Sequence, residues 1–272
     1  MTVLRNGSRG LAVRQLQTQL NGHGAGLYVD GDFGAATEAA VRAYQRKVGL
    51  VADGVAGAKT LAALAGADTS RLLKQKDLRE AAERLGVPLA SVMAVNQVES
   101  RGAGFASNGR PVILFERHVM FERLQANGLT EAEADALAAK FPALVNRRPG
   151  GYAGGTVEHQ RLAQAKQIHT ASALESASWG LFQIMGYHWA RLGYLDAQHF
   201  ADCMQLSEAA QLDAFVCFIE TDPALHKALK ARHWKAFAKG YNGPAYAKNL
   251  YDVKLARAYA QFAAEHAQEQ AA

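Results

Sequence analysis

A repeated turn does most to limit the folds open to this chain. Two stretches, DGDFGAATEAAV from Asp30 and DGVAGAKTLAAL from Asp53, share the pattern D-G-x-x-G-x-x-T. In each copy Asp-Gly suits a tight turn in which glycine takes positive φ, and the second glycine and the threonine open a short helix with one apolar face. Val13, Leu16 and Leu20 make a helical stripe before the first copy, and Val41, Tyr44 and Val48 make another between the two. The pattern predicts three short helices joined by Asp-Gly loops within residues 1–66. A unit of that size has a marginal core, which suits a binding module better than a catalytic one.

After this unit, GADTSRLLKQK from Gly66 to Lys76 is small and polar, and a linker is placed at 67–76. The remainder reads as helix after helix, with stripes such as Leu78, Ala82, Leu85 and Leu212, Phe215, Phe218, Ile219. No alternating run is long enough to demand a large sheet. The expectation is an all-α chain, a small three-helix domain followed by a larger helical domain over 77–265 and a tail at 266–272.

No stretch approaches the roughly 18 apolar residues that span a bilayer, so no membrane insertion is expected. The start, MTVLRNGSRG, lacks the apolar core of a secretion signal. Cys203 and Cys217 make no disulfide framework and read as reduced, buried thiols. Of the net charge of +5, seven Lys and Arg against four Asp and Glu fall in residues 1–66, and 23 against 21 in the rest. That front surplus suits an anionic polymer and is too small and dispersed for nucleic acid. A monomer is expected.

The stretch NQVESRGAGF carries the first chemical signal. Pro88 can open a helix on which Val92, Val95 and Glu99 stand at i, i+3 and i+7, so the acid shares the apolar face. A carboxyl so placed is either paired, with Arg101 or Arg117, or kept protonated by desolvation, the state a general acid needs near neutral pH. Gly102 and Gly104 then open the surface. SASWGLFQIMG sets Gln183 in an apolar run behind Trp179, and KGYNGPAY puts an aromatic ring and an amide, Tyr241 and Asn242, into a turn between helices. RRPGGYAGG, from Arg147, has no G-K-[ST] ending and reads as a mobile surface loop. Nine histidines include no H-E-x-x-H and no zinc spacing with cysteine, so neither metal nor cofactor is implied.

The front repeat resembles the peptidoglycan-binding domain family, whose D-G-x-F-G-x-x-T loop is matched by Asp30, Gly31, Phe33, Gly34 and Thr37; the second copy has Ala56 in place of Phe. The resemblance implies wall binding in which Asp30, Gly31, Phe33 and Asp53 are candidates, although turn chemistry alone also accounts for both aspartates.

The later motifs, in order, resemble the lysozyme-like superfamily, in particular goose-type lysozymes and soluble lytic transglycosylases, and more closely the N-acetylmuramidase domain of phage endolysins. That family's V-E-S-x-G-x-G-F, G-R-P-x-I-L-F-E-R-H and S-W-G-x-F-Q-I-M-G fall at Val98 to Phe105, Gly109 to His118 and Ser178 to Gly186. The resemblance implies Glu99 as catalytic acid and Ser100, Gly180, Phe182, Gln183, Tyr241 and Asn242 as substrate contacts. The partner it implies is the peptidoglycan glycan strand, cut at the β-1,4 bond between N-acetylmuramic acid and N-acetylglucosamine without a cofactor. Glu116 is the candidate water-positioning base, its alternative being a salt bridge to a neighbouring arginine; Glu175 is a third choice, and His118 is expected to pack. Two alternatives stand beside hydrolysis: a lytic transglycosylase leaving 1,6-anhydromuramoyl ends, and a non-catalytic wall-binding phage protein. By the same resemblance the chain is made in the host cytoplasm and reaches the periplasm and wall after a separate protein permeabilises the membrane.

Overall fold

Apolar residues three and four apart bury one face of α1 (Leu11–Gly22) through Val13, Leu16 and Leu20, and one face of α2 (Ala35–Lys47) through Val41 and Tyr44. With α3 (Ala58–Leu64) they enclose a small core in which Phe33 and Ala56, the corresponding positions of the two repeats, are both fully buried. These coordinates come from a computed structural model, which describes residues 3–100 and 102–271.

The repeat is deeper than its turns. Nε2 of Gln17 lies 2.8 Å from Asp30 Oδ1 and 3.1 Å from Thr37 Oγ1, while Oε1 accepts from Gly31 N at 2.9 Å. Gln45 makes the same set with Asp53 at 2.8 Å, Thr60 at 3.0 Å and Gly54 N at 3.0 Å. Arg14 donates to Val29 O at 3.0 Å and Arg42 to Ala52 O at 2.8 Å. A Cβ on Gly31 or Gly54 would press on these arginine side chains, and both glycines have positive φ. V-R-x-x-Q at 13–17 and 41–45 is therefore the helical half of a repeat whose turn half is the Asp-Gly loop.

Residues 1–80 and 81–272 form two compact units, and the boundary falls inside α4 (Gln75–Leu85). Within the first unit, the stretch expected as a linker contains buried Leu73, and Lys74 bridges to Leu50.

In the second unit Pro88 caps α5 (Leu89–Glu99), whose Val92, Met93, Ala94 and Val95 are buried. Three short strands, β1 (Ile113–Phe115), β2 (Ala177–Trp179) and β3 (Ile184–Met185), pair antiparallel in that order, with Ile113 opposite Trp179 and Trp179 opposite Ile184. Around this sheet pack α6 (Arg117–Ala126), α7 (Glu131–Lys140), α8 (Glu158–Lys166) and α9 (Thr170–Glu175), followed by α10 (Ala197–Met204), α11 (Glu208–Glu220), α12 (Pro223–Lys230) and α13 (Trp234–Asn242). The last helix, α14 (Tyr251–Ala271), lies along α5 and buries Leu255, Ala258 and Phe262; residues 266–271, expected as a tail, continue it. The fold is helical with one small sheet.

One buried side chain ties the motifs together. Gln211 of α11 accepts from Leu181 N at 2.7 Å and donates to Met204 O at 2.9 Å and Gly104 O at 3.3 Å, and nearby Glu208 accepts from Gly104 N at 2.8 Å. A Cβ on Gly104 or Gly180 would overlap Gln211, and one on Gly186 would overlap the Leu174 carbonyl. The cysteines depart from expectation. Both are only half-buried, and the Cys217 thiol accepts from Arg84 at 3.1 Å.

Gln211→Leu keeps the bulk and leaves the Leu181 N–H and the Met204 carbonyl without this partner, while Gly104 O still accepts from Val112 N at 2.9 Å, so it should destabilise residues 81–272 by about 2 to 3 kcal/mol. All three tryptophans, 179, 189 and 234, lie in that unit. Urea unfolding followed by tryptophan fluorescence should show a lowered midpoint with an unchanged slope.

Candidate active site

The ends of α5 and α13 and the turn after β2 meet in an open cleft of about 550 Å³, lined by Glu99, Ser100, Phe182, Gln183, Tyr187, His188, Phe218, Tyr241, Asn242 and Tyr251 among others, so that Tyr241 and Asn242 close a helix where a turn was expected. Six of the residues picked out from sequence thus come together: Glu99, Ser100, Phe182, Gln183, Tyr241 and Asn242. Gly180 and Glu116 are not among the lining residues.

Glu99 is the carboxylate of this lining. Burial pushes it up from an ordinary 4.5 to about 7, against the pull of an Asn242 hydrogen bond and of the Lys254 charge. Asn242 Nδ2 donates to Glu99 Oε1 at 3.0 Å. Of the two arginines suggested as ion-pair partners, Arg117 is committed elsewhere, donating to the carbonyls of Arg148 at 3.0 Å and Pro149 at 3.1 Å, and Arg101 lies outside the described residues.

The neighbours hold the walls. Tyr241 donates to Phe182 O at 2.8 Å and packs among Phe215, Phe218 and Phe237; burial, then the nearby Glu99, raises its hydroxyl well above the ordinary range. Phe182 is itself almost fully buried, stacked on Phe215. Gln183 sits at φ 53, a conformation that costs about 1 kcal/mol or more. Its amide faces inward, accepting from Ser178 Oγ at 2.9 Å and donating to Gly180 O at 2.8 Å and Val112 O at 3.3 Å. Tyr187 and His188, directly after the SWGLFQIMG motif, were missed in the sequence, as was Tyr251. Burial and then Arg191 bring His188 down to about 4, so it lines the cleft as a neutral ring, 5.1 Å from Phe218.

The remaining acids are held elsewhere. Glu116 accepts from Tyr152 at 2.8 Å and lies 3.3 Å from His118 Nδ1, with no arginine partner among the described residues. Buried Glu175 is bound by Arg123 at 2.9 Å, Trp189 at 2.9 Å and Asn127 at 2.7 Å; burial alone would raise it, and these partners hold it below the usual range. The glycine-rich loop expected to be mobile is exposed but anchored, by Arg117, by Tyr152 and by Glu158, which accepts from Ala153 N at 2.7 Å and Gly154 N at 2.8 Å.

In the first unit, Arg9, Leu11, Arg14, Asp30, Gly31 and Asp32 border an open hollow of about 560 Å³. The two loop aspartates differ here. The Asp32 N–H and then Gln17 hold exposed Asp30 below the usual range, whereas burial lifts Asp53 above it. Phe33 is core. Among the described residues no group of three or more His, Cys, Asp or Glu is arranged to hold a metal, and no helix is long and apolar enough to cross a membrane.

Against known proteins, residues 88–263 match the family described as "N-acetylmuramidase" and residues 9–64 the "Putative peptidoglycan binding domain". The solved structure of a Burkholderia AP3 phage endolysin superposes with a TM-score of 0.91 at 54% identity, covering 96% of this chain and 99% of that one. A "Zinc D-Ala-D-Ala carboxypeptidase" of Streptomyces albus G is 53% identical over 60 residues, 21% of this chain and 24% of its own length. A "Probable N-acetylmuramoyl-L-alanine amidase" of Bacillus licheniformis is 35% identical over 103 residues, 36% of this chain and 29% of its own. The chain spans less than a third of either of these two relatives.

A group that must be protonated to act loses activity as pH rises through its pKa, so the alkaline limb of the rate profile should fall at about pH 7. Asn242→Ala removes a donor that favours the charged form, and the limb should move to higher pH. Initial rates between about pH 4 and 9 check both; a limb left in place would separate Asn242 from the titration.

Proposed function

The chain belongs to the N-acetylmuramidase family, with a peptidoglycan-binding domain ahead of the catalytic one, and on that premise we propose that it hydrolyses the β-1,4 bond between N-acetylmuramic acid and N-acetylglucosamine with Glu99 as proton donor. The observation that carries this reading is a carboxyl held protonated to about pH 7 in an open cleft with aromatic walls. Glu99 passes its proton to the glycosidic oxygen as the C1–O bond breaks and an oxocarbenium-like centre develops. Water then closes on C1 and returns a proton to the carboxylate.

A cleft whose described lining holds one carboxylate also suits a second reading, in which the muramoyl 6-hydroxyl attacks C1 in place of water. The products separate the two: new reducing ends mark hydrolysis, and 1,6-anhydro ends mark transglycosylation. Residues 1–80 supply wall attachment through the hollow beside Asp30 and Gly31. The working place is the cell wall, reached after another protein has permeabilised the host membrane.

Glu99→Gln should keep the fold and lower lysis of permeabilised Gram-negative cells by about 10² to 10⁴-fold, while the protein still pellets with purified murein. Near-normal lysis by the folded variant would return Glu99 to a structural role. Glu116→Gln removes the charge from the acceptor of the Tyr152 hydroxyl, outside the cleft lining, and so weakens that bond, so the melting temperature should fall with activity largely kept; a strong loss of turnover in a stable protein would make Glu116 the base. Leu11→Asp, at an exposed edge of the hollow, should reduce murein pelleting of the full chain without changing cleavage of soluble glycan.

A further inference from the structure

Lys254 stands beside the cleft and has no task in the chemistry above. It lies one turn along α14 from Tyr251, which lines the cleft, and its Nζ is 5.6 Å from the centre of the Tyr251 ring. The lysine is exposed, so its charge carries little desolvation cost, yet it is near enough to Glu99 to oppose the rise that burial causes there. A cation on a long stem, braced over an aromatic face at the rim of a sugar-sized trough, is suited to an anionic group projecting from a bound glycan.

We infer that Lys254 takes a carboxylate carried on the O3 substituent of a muramoyl residue, and so makes the cleft select muramoyl glycan over an uncharged N-acetylglucosamine polymer. This rests on the glycan-cleaving reading and identifies a part of the substrate which that reading leaves unassigned. The carboxylate has two sources, the lactyl group of peptide-stripped strands and the acids of the stem peptide. An N-acetylglucosamine polymer has neither, and its neutral rings can use only the aromatic walls.

The test is a binding comparison in full-length Glu99→Gln protein, where turnover does not confuse affinity. The ligands are peptide-stripped glycan strands, peptide-bearing strands and a chitooligosaccharide of matched length, each at low and high salt. Adding Lys254→Met should lower the ratio of charged-ligand to neutral-ligand affinity about threefold to fivefold at low salt, with the difference shrinking at high salt, and Lys254→Arg should restore most of it. A loss on peptide-stripped strands alone assigns the lactyl carboxylate, a loss on peptide-bearing strands alone assigns the stem peptide, and a loss on both means that Lys254 takes either carboxylate. An unchanged ratio, or an equal loss on all three ligands, overturns the inference. Turnover persisting in Glu99→Gln would instead overturn the cleavage reading.

The active protein gives a second readout. Asn242 and Tyr241 from α13, neutral His188 after β3, and Tyr251 from α14 remain around Glu99 when Lys254 becomes methionine. Loss of the cation should therefore move the alkaline limb of the rate profile up, and a limb that stays in place would separate Lys254 from the cleft.

Discussion

Backbone groups that cannot reach water must find partners inside, and where two distant motifs of the catalytic unit meet, α11 supplies those partners. Gln211 and Glu208 of α11 satisfy Leu181 and Gly104, from two motifs far apart in the chain. Leaving such groups unpaired costs about 1 to 3 kcal/mol each, so the clamp fixes the turn after β2 against the segment that follows α5. Both glycines are needed because the amide occupies the space a Cβ would take. The inward amide of Gln183 and the hydroxyl of Tyr241 extend the scaffold to the cleft wall. Glu99 is then held where water is scarce and a substrate can still enter.

That placement sets activity against stability. A carboxyl whose folded pKa lies above its unfolded one contributes stability that is fully present below the unfolded value and is lost as pH rises through the folded value. For Glu99 the window runs from 4.5 to about 7, and the stability given up across it is on the order of 3 kcal/mol. The Asn242 bond and the Lys254 charge limit the loss, each at the expense of some acidity range. The front unit shows the same physics without catalysis, since one Gln–Asp–Thr network built twice leaves Asp30 exposed and Asp53 partly buried.

Features written as short local patterns were legible in the sequence. The Asp-Gly repeat marked the three-helix unit, and Val92, Val95 and Glu99 at helical spacing marked the inward acid. Tyr241 and Asn242 were found through motif order, and their meeting with Glu99 needed the fold. Features that depend on distant pairing were not legible. Gln211 is one glutamine in an apolar helix, and only its contacts with Gly104 and Leu181 reveal its task. Likewise Glu116 and Glu175 look like catalytic candidates by residue type, and what distinguishes them is Tyr152 and His118 beside one and Arg123, Trp189 and Asn127 around the other.

The central claim is that Glu99 keeps its proton close to neutral pH. Titration of its side-chain carboxyl carbon by NMR, assigned by difference from Glu99→Gln, measures this without substrate. The expected midpoint is about 7; a midpoint at the ordinary 4.5 would mean an ionised resting carboxylate and would contradict the role given to Glu99.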